Sequence, residues 1–274
     1  MQVCTCALSP DGRFAIAADK DEAKVWDLDA DRVVLTAAMA IAPADPYVTF
    51  LQLPNGRLGA GVAGASPWSA VYDVWAGTKL FTVQHQGTCT YLCALGGLLA
   101  SCSFDCTLRL WDLRTGELEA VMDTNVELRI CRPLGPSLVA AGGSNGAIHI
   151  FDTAQRQRTT TLLVHTRCIT GLAVPRPGQL VSSSEDGSVR LIDLETETVL
   201  RMFTMNNWVN DVAVAHNNWV CASSSNGYVW VWDLATGDRI HKLAHESNVW
   251  TCAVSVGGTV FEQQKNEKKN EKRK

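Results

Sequence analysis

The chain has 274 residues, of which 46 % are hydrophobic and 19 % charged, a composition typical of a folded globular protein and not of a disordered one. Its formal net charge is −4, but residues 262–274 carry six Lys or Arg and three Glu, so the remainder is distinctly acidic. An acidic body argues against a nucleic-acid groove. Met1–Leu8 lacks the pattern of a signal peptide and no apolar run approaches membrane-spanning length, so we expect a cytoplasmic or nuclear protein without membrane contact.

A repeat of about 40 residues runs through the chain. Six short segments end on an aspartate that follows a large hydrophobic residue (Trp, Tyr, Trp, Phe, Ile and Trp in turn). These aspartates are Asp27, Asp73, Asp112, Asp152, Asp193 and Asp233. They are spaced by 46, 39, 40, 41 and 40 residues. Six matches at one nearly constant period predict a tandem array of similar units.

Within each unit, the elements follow in the same order along the chain. A first strand keeps apolar residues at positions i, i+3 and i+5, and it begins at Val3, Val48, Cys89, Ile169, Val209 and Val249. In the fourth unit this strand, within Val126–Cys131, is ambiguous. Turn residues follow, as in Ser9–Gly12 and Gly96–Gly97, and then further short segments without helical periodicity. We therefore predict antiparallel strands joined by tight turns.

The third unit, His85–Glu117, shows this pattern most fully. Leu98–Ser103 is apolar and small, Phe104–Cys106 reads as a tight turn, and Thr107–Leu113 alternates between apolar and polar residues. Alternation with a period of two is the signature of a strand. The unit therefore predicts three short strands, which end at the pair Trp111–Asp112.

Four residues of this unit, together with its final Asp112, resemble the motif of the WD-repeat family: His85, Ser101, Asp105 and Trp111. The resemblance implies an all-β fold, a β-propeller of four-stranded antiparallel blades around a central channel. It also implies that these four side chains form a structural, hydrogen-bonded tetrad within a blade. We favour that role over a catalytic triad, because residue types without site geometry do not define an active site.

The tetrad is less complete in the other units. The fifth unit keeps His165, Ser182 and Asp186 but has Ile192 at the position of the tryptophan. The fourth and sixth units lack the histidine and carry Asn145 and Asn226 at the position of the aspartate, while the second unit has no part of the network. Those blades either rely on apolar packing or have loops that are released for contacts.

The end of the chain departs from the repeat. Asp238–Ala244 predicts a fourth strand for the sixth unit, whereas His245–Phe261 contains only a first strand and part of a second. We therefore predict one propeller domain over residues 1–261, with six complete blades, a partial seventh, and an open edge near Val260 that is able to pair with another chain. Residues 262–274 form a basic, low-complexity tail, which we expect to be disordered and solvated.

Three further patterns suggest chemistry that their context does not support. Gly59–Gly64 matches a dinucleotide-binding motif and Gly142–Gly146 a nucleophile elbow, but strand-like residues follow each of them where those motifs require a helix. Cys89, Cys93, Cys102 and Cys106 have a spacing that suggests zinc. Because three of them fall in predicted strands and one in a turn, we expect buried thiols and no metal site.

The loops that enter first strands and the second hairpins of the units should share one rim, since the tetrad connects them. The residues that we predict to bind a partner on this rim are Trp68, Phe104, Arg167, Trp208, Asn210 and Trp250. Trp and Arg are enriched at binding hot spots. The alternative is that the tryptophans pack against neighbouring blades.

We predict that the chain is not an enzyme, needs no cofactor, and acts as a scaffold or substrate-receptor propeller that binds a protein or peptide through its rim. The resemblance supports this, since WD-repeat proteins commonly serve as assembly scaffolds within multi-protein complexes. One alternative is an RNA- or chromatin-associated subunit that uses the basic tail. Another is a truncated propeller with an open last blade.

Overall fold

A computed structural model describes residues 5–9, 11–18, 22–38, 47–53, 56–63, 67–215, 218–254 and 260–264. These residues form 26 β-strands and no helix, so nothing in this part of the chain could cross a bilayer as a helix. The strands form six four-stranded sheets and one two-stranded sheet. The predicted all-β propeller with six complete blades and a partial seventh is confirmed.

Each blade takes four consecutive strands. Blade 1 contains β1 (Thr5–Leu8), β2 (Phe14–Ala18), β3 (Glu22–Asp27) and β4 (Arg32–Ala38). Blade 2 contains β5 (Tyr47–Gln52), β6 (Leu58–Ala63), β7 (Trp68–Asp73) and β8 (Thr78–Gln84). Blade 3 contains β9 (Cys89–Leu95), β10 (Leu98–Ser103), β11 (Thr107–Asp112) and β12 (Leu118–Asp123).

Blade 4 contains β13 (Leu128–Pro133), β14 (Leu138–Gly143), β15 (Ala147–Asp152) and β16 (Gln157–Leu163). Blade 5 contains β17 (Ile169–Ala173), β18 (Gln179–Ser184), β19 (Ser188–Asp193) and β20 (Thr198–Thr204). Blade 6 contains β21 (Val209–Val214), β22 (Trp219–Ser224), β23 (Tyr228–Asp233) and β24 (Arg239–Ala244). The seventh unit consists of β25 (Val249–Val254) and β26 (Val260–Gln264).

Neighbouring strands of each sheet are antiparallel, and burial decreases from the inner strands to the outer one. The second strands of blades 3, 4, 5 and 6 are buried on both faces after their first residue, whereas the fourth strands are mostly exposed. A strand covered on both sides has to be apolar or small throughout, which explains its runs of Ala, Ser, Val and Cys. The core therefore lies between consecutive blades.

The blades form a closed ring through their first strands. Each first strand lies beside the first strand of the next blade, and β25 lies beside β1. Polar side chains bridge some of these contacts: Thr90 Oγ1 donates to Leu128 O at 2.9 Å, and Asn210 Nδ2 donates to Val249 O at 2.8 Å. The seventh unit is therefore an integral part of the ring although it has only two strands.

Two sequence-based boundaries need correction. The ambiguous first strand of the fourth unit is β13, which begins at Leu128, so Val126 and Glu127 belong to the loop before it. Strand β26 continues to Gln264, three residues beyond the predicted end of the domain, because Glu262, Gln263 and Gln264 all pair with β25. The rest of the predicted tail, residues 265–274, lies outside the described residues.

The two glycine-rich motifs lie in strands and turns. Gly59 and Gly61 lie within β6, and β7 is the next element. Gly142 ends the register of β14 with β15, and the turn between them closes at Gly146, whose φ of +82° suits glycine. A Cβ at Gly146 would also collide with the backbone of His165. Neither segment opens a helix, so neither has the geometry that nucleotide binding or a nucleophile elbow requires.

Candidate functional site on the tetrad rim

In blade 3, the four predicted tetrad residues form one hydrogen-bonded chain. Trp111 Nε1 donates to Ser101 Oγ at 2.8 Å, and Ser101 Oγ lies 2.7 Å from His85 Nε2. His85 Nδ1 in turn lies 3.0 Å from Asp105 Oδ2. All these contacts are satisfied when Nδ1 carries the proton and the Ser101 hydroxyl donates to Nε2. The chain runs from the third strand, through the second, to the turn between β10 and β11.

The electrostatics of this tetrad favour a neutral imidazole beside an ionised carboxylate. Burial lowers the pKa of His85, although Asp105 opposes the shift. Burial acts to raise the pKa of Asp105, but hydrogen bonds from Thr107, the Gln86 amide and His85 outweigh it and lower that pKa to about 2. Because Asp105 Oδ2 also accepts from Gln86 N at 2.9 Å, the tetrad holds the loop that enters β9 in place.

Blade 5 repeats this geometry without the tryptophan. His165 Nε2 lies 2.8 Å from Ser182 Oγ, and His165 Nδ1 lies 2.9 Å from Asp186 Oδ2. Asp186 Oδ2 accepts from Thr166 N at 3.2 Å, so the loop that enters β17 is held as its counterpart in blade 3 is. Ile192 is fully buried at the tryptophan position. The polar contacts therefore position the loop even where no indole completes the chain.

We call the end of the propeller that carries these loops the tetrad rim; it comprises the loops before first strands and the turns between second and third strands. On this rim, a cleft of about 470 Å³ lies between blade 5 and the loop that enters blade 6. Its lining residues are Thr166, Arg167, Glu185, Asp186, Gly187, Thr204, Asn206, Asn207 and Trp208. Below, we refer to this site as the 5/6 cleft.

Hydrogen bonds to backbone carbonyl oxygens fix the walls of the 5/6 cleft. Ser184 Oγ donates to Arg167 O at 3.1 Å, Met205 N donates to Gly187 O at 2.8 Å, and Ser225 N donates to Trp208 O at 3.1 Å. The Trp208 side chain itself is 49 % exposed. The cleft thus brings together an aromatic side chain, a cation and an anion.

The other residues predicted for the rim have different surroundings. Trp68 and Trp250 are exposed to a large extent. Phe104 is partly buried, and the guanidinium of Arg129 lies 5.2 Å from its ring centroid. The Asn210 amide bonds Val249 and Ser225, so both of its polar ends are engaged within the fold. Of the six predicted residues, Arg167 and Trp208 lie together in the 5/6 cleft.

Sequence reasoning missed an exposed aromatic residue elsewhere on the molecule. Trp75, in the turn between β7 and β8, is 50 % exposed and packs edge-on against Phe14 at 5.0 Å between centroids. The guanidinium of Arg13 lies 5.1 Å from the Trp75 ring, a cation–π arrangement. The available signal was Trp75 itself, two residues after Asp73, because no other unit has an aromatic residue there. The equivalent residues are Asp29, Arg114, Ala154, Glu195 and Ala235.

The buried Ser–His–Asp sets cannot act as hydrolytic triads in this arrangement. Ser101 and Ser182 are fully buried, and His85 and His165 have little exposed surface. The Ser101 oxygen already accepts from the Trp111 indole. A nucleophile has to reach its substrate, so these contacts stabilise the fold instead.

The four cysteines whose spacing suggests zinc lie in strands and a turn of blade 3. Within the described ranges, no three His, Cys, Asp or Glu side chains are placed to hold an ion. Cys89, Cys93 and Cys102 are buried, while Cys106 lies in the β10–β11 turn. Burial raises the pKa of the Cys89 thiol to about 12, which disfavours the thiolate that a metal would need.

Comparison with known proteins matches the repeat. The family model described as "WD domain, G-beta repeat" matches residues 77–112 and 156–193. The first range contains the His, Ser and Asp of the blade 3 network, and the second contains those of the blade 5 network. The Target of rapamycin complex subunit wat1 of Schizosaccharomyces pombe is 29 % identical over 165 residues, which is 58 % of this chain and 52 % of that protein. The Nuclear distribution protein nudF of Aspergillus niger is 26 % identical over 165 residues, 57 % of this chain and 37 % of that protein.

The Apoptotic protease-activating factor 1 of Rattus norvegicus is 28 % identical over 153 residues, 54 % of this chain but only 12 % of that protein. The chain thus spans about half the length of these relatives or less. The similarity is nevertheless consistent with the blade geometry, the 40-residue period and the tetrads. The family-model matches, the relatives and the blade geometry together support assignment of the chain to the WD-repeat family.

Proposed function

We propose that this chain is a non-enzymatic interaction scaffold that binds an extended peptide or a loop of a protein partner in the 5/6 cleft. The observation that carries the proposal is the exposed Trp208, which lines one cleft together with Arg167 and Glu185. Asp186 holds the loop before Arg167 through Thr166 N, and Trp208 O accepts from Ser225 N. The name of one relative, a subunit of the target of rapamycin complex, supports a role in protein assembly.

The cleft favours a peptide with an apolar side chain flanked by polar groups. Trp208 offers a large apolar surface, and the exposed Arg167 can pair with a carboxylate of the ligand. The asparagines at 206 and 207 provide hydrogen-bonding groups without a fixed charge. Binding by such a site needs no cofactor or metal, in keeping with the chemistry of its lining.

A displayed library of random peptides, selected on the full chain, supplies ligands for the test. Each selected peptide is then titrated calorimetrically against the wild type, Trp208→Ala and Trp75→Ala. Trp75 is the matched control, because it is the same residue type with nearly the same exposure and lies outside the cleft.

We expect Trp208→Ala to weaken binding by about 30-fold, as for loss of a hot-spot residue worth about 2 kcal/mol, and Trp75→Ala to leave it unchanged. Arg167→Ala should weaken only those peptides that contain a carboxylate. Peptides that bind Trp208→Ala as tightly as they bind the wild type would contradict the proposal.

A further inference from the structure

Among the described residues, the seventh unit has two strands where each of the other six blades has four. Strand β26 pairs with β25 and, within the described ranges, with no other strand. In every complete blade, the second strand has a third strand on its outer side. The outer edge of β26 therefore presents backbone N–H and C=O groups that a further strand could pair with.

One apolar residue on the fourth strand of blade 6 is exposed, whereas its counterparts in blades 2 to 5 are buried. Leu243 pairs with Val229, and the equivalent fourth-strand residues of blades 2 to 5 are 6 % exposed or less. Those residues are Val83, Met122, Leu162 and Phe203. Leu243 is 38 % exposed.

In blade 5, a third-strand residue of the next blade packs on the equivalent side chain. The Phe203 ring lies 5.1 Å from the ring of Trp232, the aromatic residue of the third strand in the next blade. The seventh unit has no third strand among the described residues. Leu243 is thus exposed where an aromatic or large aliphatic residue of such a strand would lie.

Blade 1 is exposed on the opposite side of the same gap. Ala15 pairs with Trp26, the residue before the third-strand aspartate, and is partly exposed. Its counterparts at the same register position in blades 2 to 6 are all fully buried. They are Ala60, Leu99, Val139, Leu180 and Val220.

We propose that the space bounded by Leu243, the outer edge of β26 and Ala15, which we call the seventh-blade slot, accepts a β-hairpin from another polypeptide. This hairpin completes the seventh blade by strand addition. Its first strand pairs antiparallel with β26 and places a large apolar residue over Leu243 and smaller apolar residues over Ala15. The slot is separate from the 5/6 cleft, so the inference goes beyond the proposed function.

The chemistry of the slot defines its occupant. Both flanking faces are apolar at the uncovered positions, so the occupant must alternate apolar residues on its two strands. Residues 265–274 contain only Lys, Arg, Asn and Glu, so this segment cannot supply those side chains. A second copy of the chain that paired through its own β26 would give a dimer in place of a completed blade.

The chain itself provides a suitable probe. A fluorescent peptide with the sequence of residues 107–123 contains the third and fourth strands of blade 3 and the turn between them. The control peptide carries Ser in place of Leu108, Leu110 and Trp111, so it keeps the backbone but lacks the apolar residues of its first strand. Fluorescence anisotropy measures binding of both peptides to the full chain.

We expect saturable binding of the first peptide, and at least ~tenfold weaker binding of the control peptide. Leu243→Glu should weaken binding by a similar factor, because it places a charge against the apolar face of the added strand. Leu163→Glu is the matched control: Leu163 lies on β16, is 83 % exposed, and should tolerate the change without effect. Bound peptide should also slow amide hydrogen exchange in residues 260–264.

Three results would overturn the proposal. The first is the absence of saturable binding by the blade 3 peptide, and the second is equal binding to wild type and Leu243→Glu. The third is a dimer in sedimentation that persists at saturating peptide and protects residues 260–264, because the edge would then be occupied by a second copy. Thermal melts of the Leu243→Glu and Leu163→Glu variants should coincide, so that lost binding cannot be ascribed to unfolding.

Discussion

Blades 3 and 6 solve the same packing problem with different chemistry. Both end their third strand on a buried Trp followed by Asp, but blade 3 surrounds Trp111 with His85 and Ser101, whereas blade 6 has Met205 and Ala222 at the same positions. Met205 and Ala222 are fully buried, so an apolar pair fills the space that the polar pair fills in blade 3. Either pair of side chains fills the space beside the tryptophan, so the sheet requires only a suitable side-chain volume at these positions.

The two blades differ in how far each buried side chain depends on the groups that it contacts. In blade 3 each polar group is satisfied only while the others are present, because a buried group without a partner is costly. In blade 6, the contacts are non-directional and can adjust to small changes in shape. We therefore expect blade 3 to be sensitive to single substitutions and to pH, and blade 6 to be tolerant of both.

The largest expected effect comes from placing the blade 6 residue in blade 3. His85→Met keeps the apolar volume but leaves Ser101 and Asp105 without their imidazole partner. We expect a loss of about 4 kcal/mol in the free energy of unfolding, as for breaking a buried polar pair on one side. Urea denaturation followed by tryptophan fluorescence measures the change. A loss below about 1 kcal/mol would show that the tetrad contributes little.

Acid should destabilise the histidine-containing blades. His149 of blade 4 is buried, and this burial, with a contribution from Arg158, lowers its pKa to about 4. Because the folded-state pKa is below the usual value of about 6.5, protonation favours the unfolded chain. This histidine therefore leaves the free energy of unfolding unchanged above about pH 6.5. As the pH falls towards 4, it lowers the free energy of unfolding by on the order of 3 kcal/mol.

The variant His149→Leu should therefore lose less stability than the wild type between pH 7 and pH 4. Parallel urea titrations across this range provide the comparison. Equal slopes for both proteins would contradict the assignment. Asp105, whose pKa is about 2, contributes stability that is lost only at still lower pH, so it does not interfere with this comparison.

A second substitution in blade 3 should cost less once His85 has been replaced. Ser101→Ala alone removes the hydroxyl partner of both His85 Nε2 and Trp111 Nε1, whereas in His85→Met it removes only that of Trp111 Nε1. We therefore expect Ser101→Ala to cost about 1 kcal/mol less in His85→Met than in the wild type. A double-mutant cycle measures this coupling. Strict additivity of the two changes would argue against a shared hydrogen-bond chain.

The smallest effect is expected for a conservative change in blade 6. Met205→Leu retains an apolar side chain of similar volume and breaks no hydrogen bond, so it should cost about 1 kcal/mol or less. The same urea assay applies. A loss comparable to that of His85→Met would mean that blade 6 also depends on a specific side-chain geometry.

Much of the fold was predictable because it follows from local patterns. The 40-residue period, the third-strand aspartates and the turn residues depend on alternation and turn chemistry, which are visible in a single sequence. The residues of both tetrads were predictable for the same reason, since His85, Ser101 and Asp105 recur as His165, Ser182 and Asp186. The first strand of blade 4 was not, because Leu128–Pro133 contains two arginines and a proline that obscure its alternation.

The candidate sites were less predictable, because each depends on more than one blade. Asn210 and Trp208 are two residues apart, and many other rim residues are likewise polar or aromatic, so residue type does not distinguish the two. Only the structure shows that Asn210 is engaged with Val249, while Trp208 remains exposed in a cleft. Leu243 is likewise exposed because, among the described residues, no third strand of the seventh unit lies beside it, and not because of the sequence of β24.

The sequence by itself determined the repeat, the strands and the hydrogen-bonding residues of each blade, because these arise from period-two alternation and from side chains within some 25 positions of one another. The tertiary structure decided which surfaces remain uncovered. Burial depends on the neighbouring blade, about 40 residues away in the chain, and on whether the ring places β25 beside β1. The 5/6 cleft and the seventh-blade slot exist only once the ring is closed.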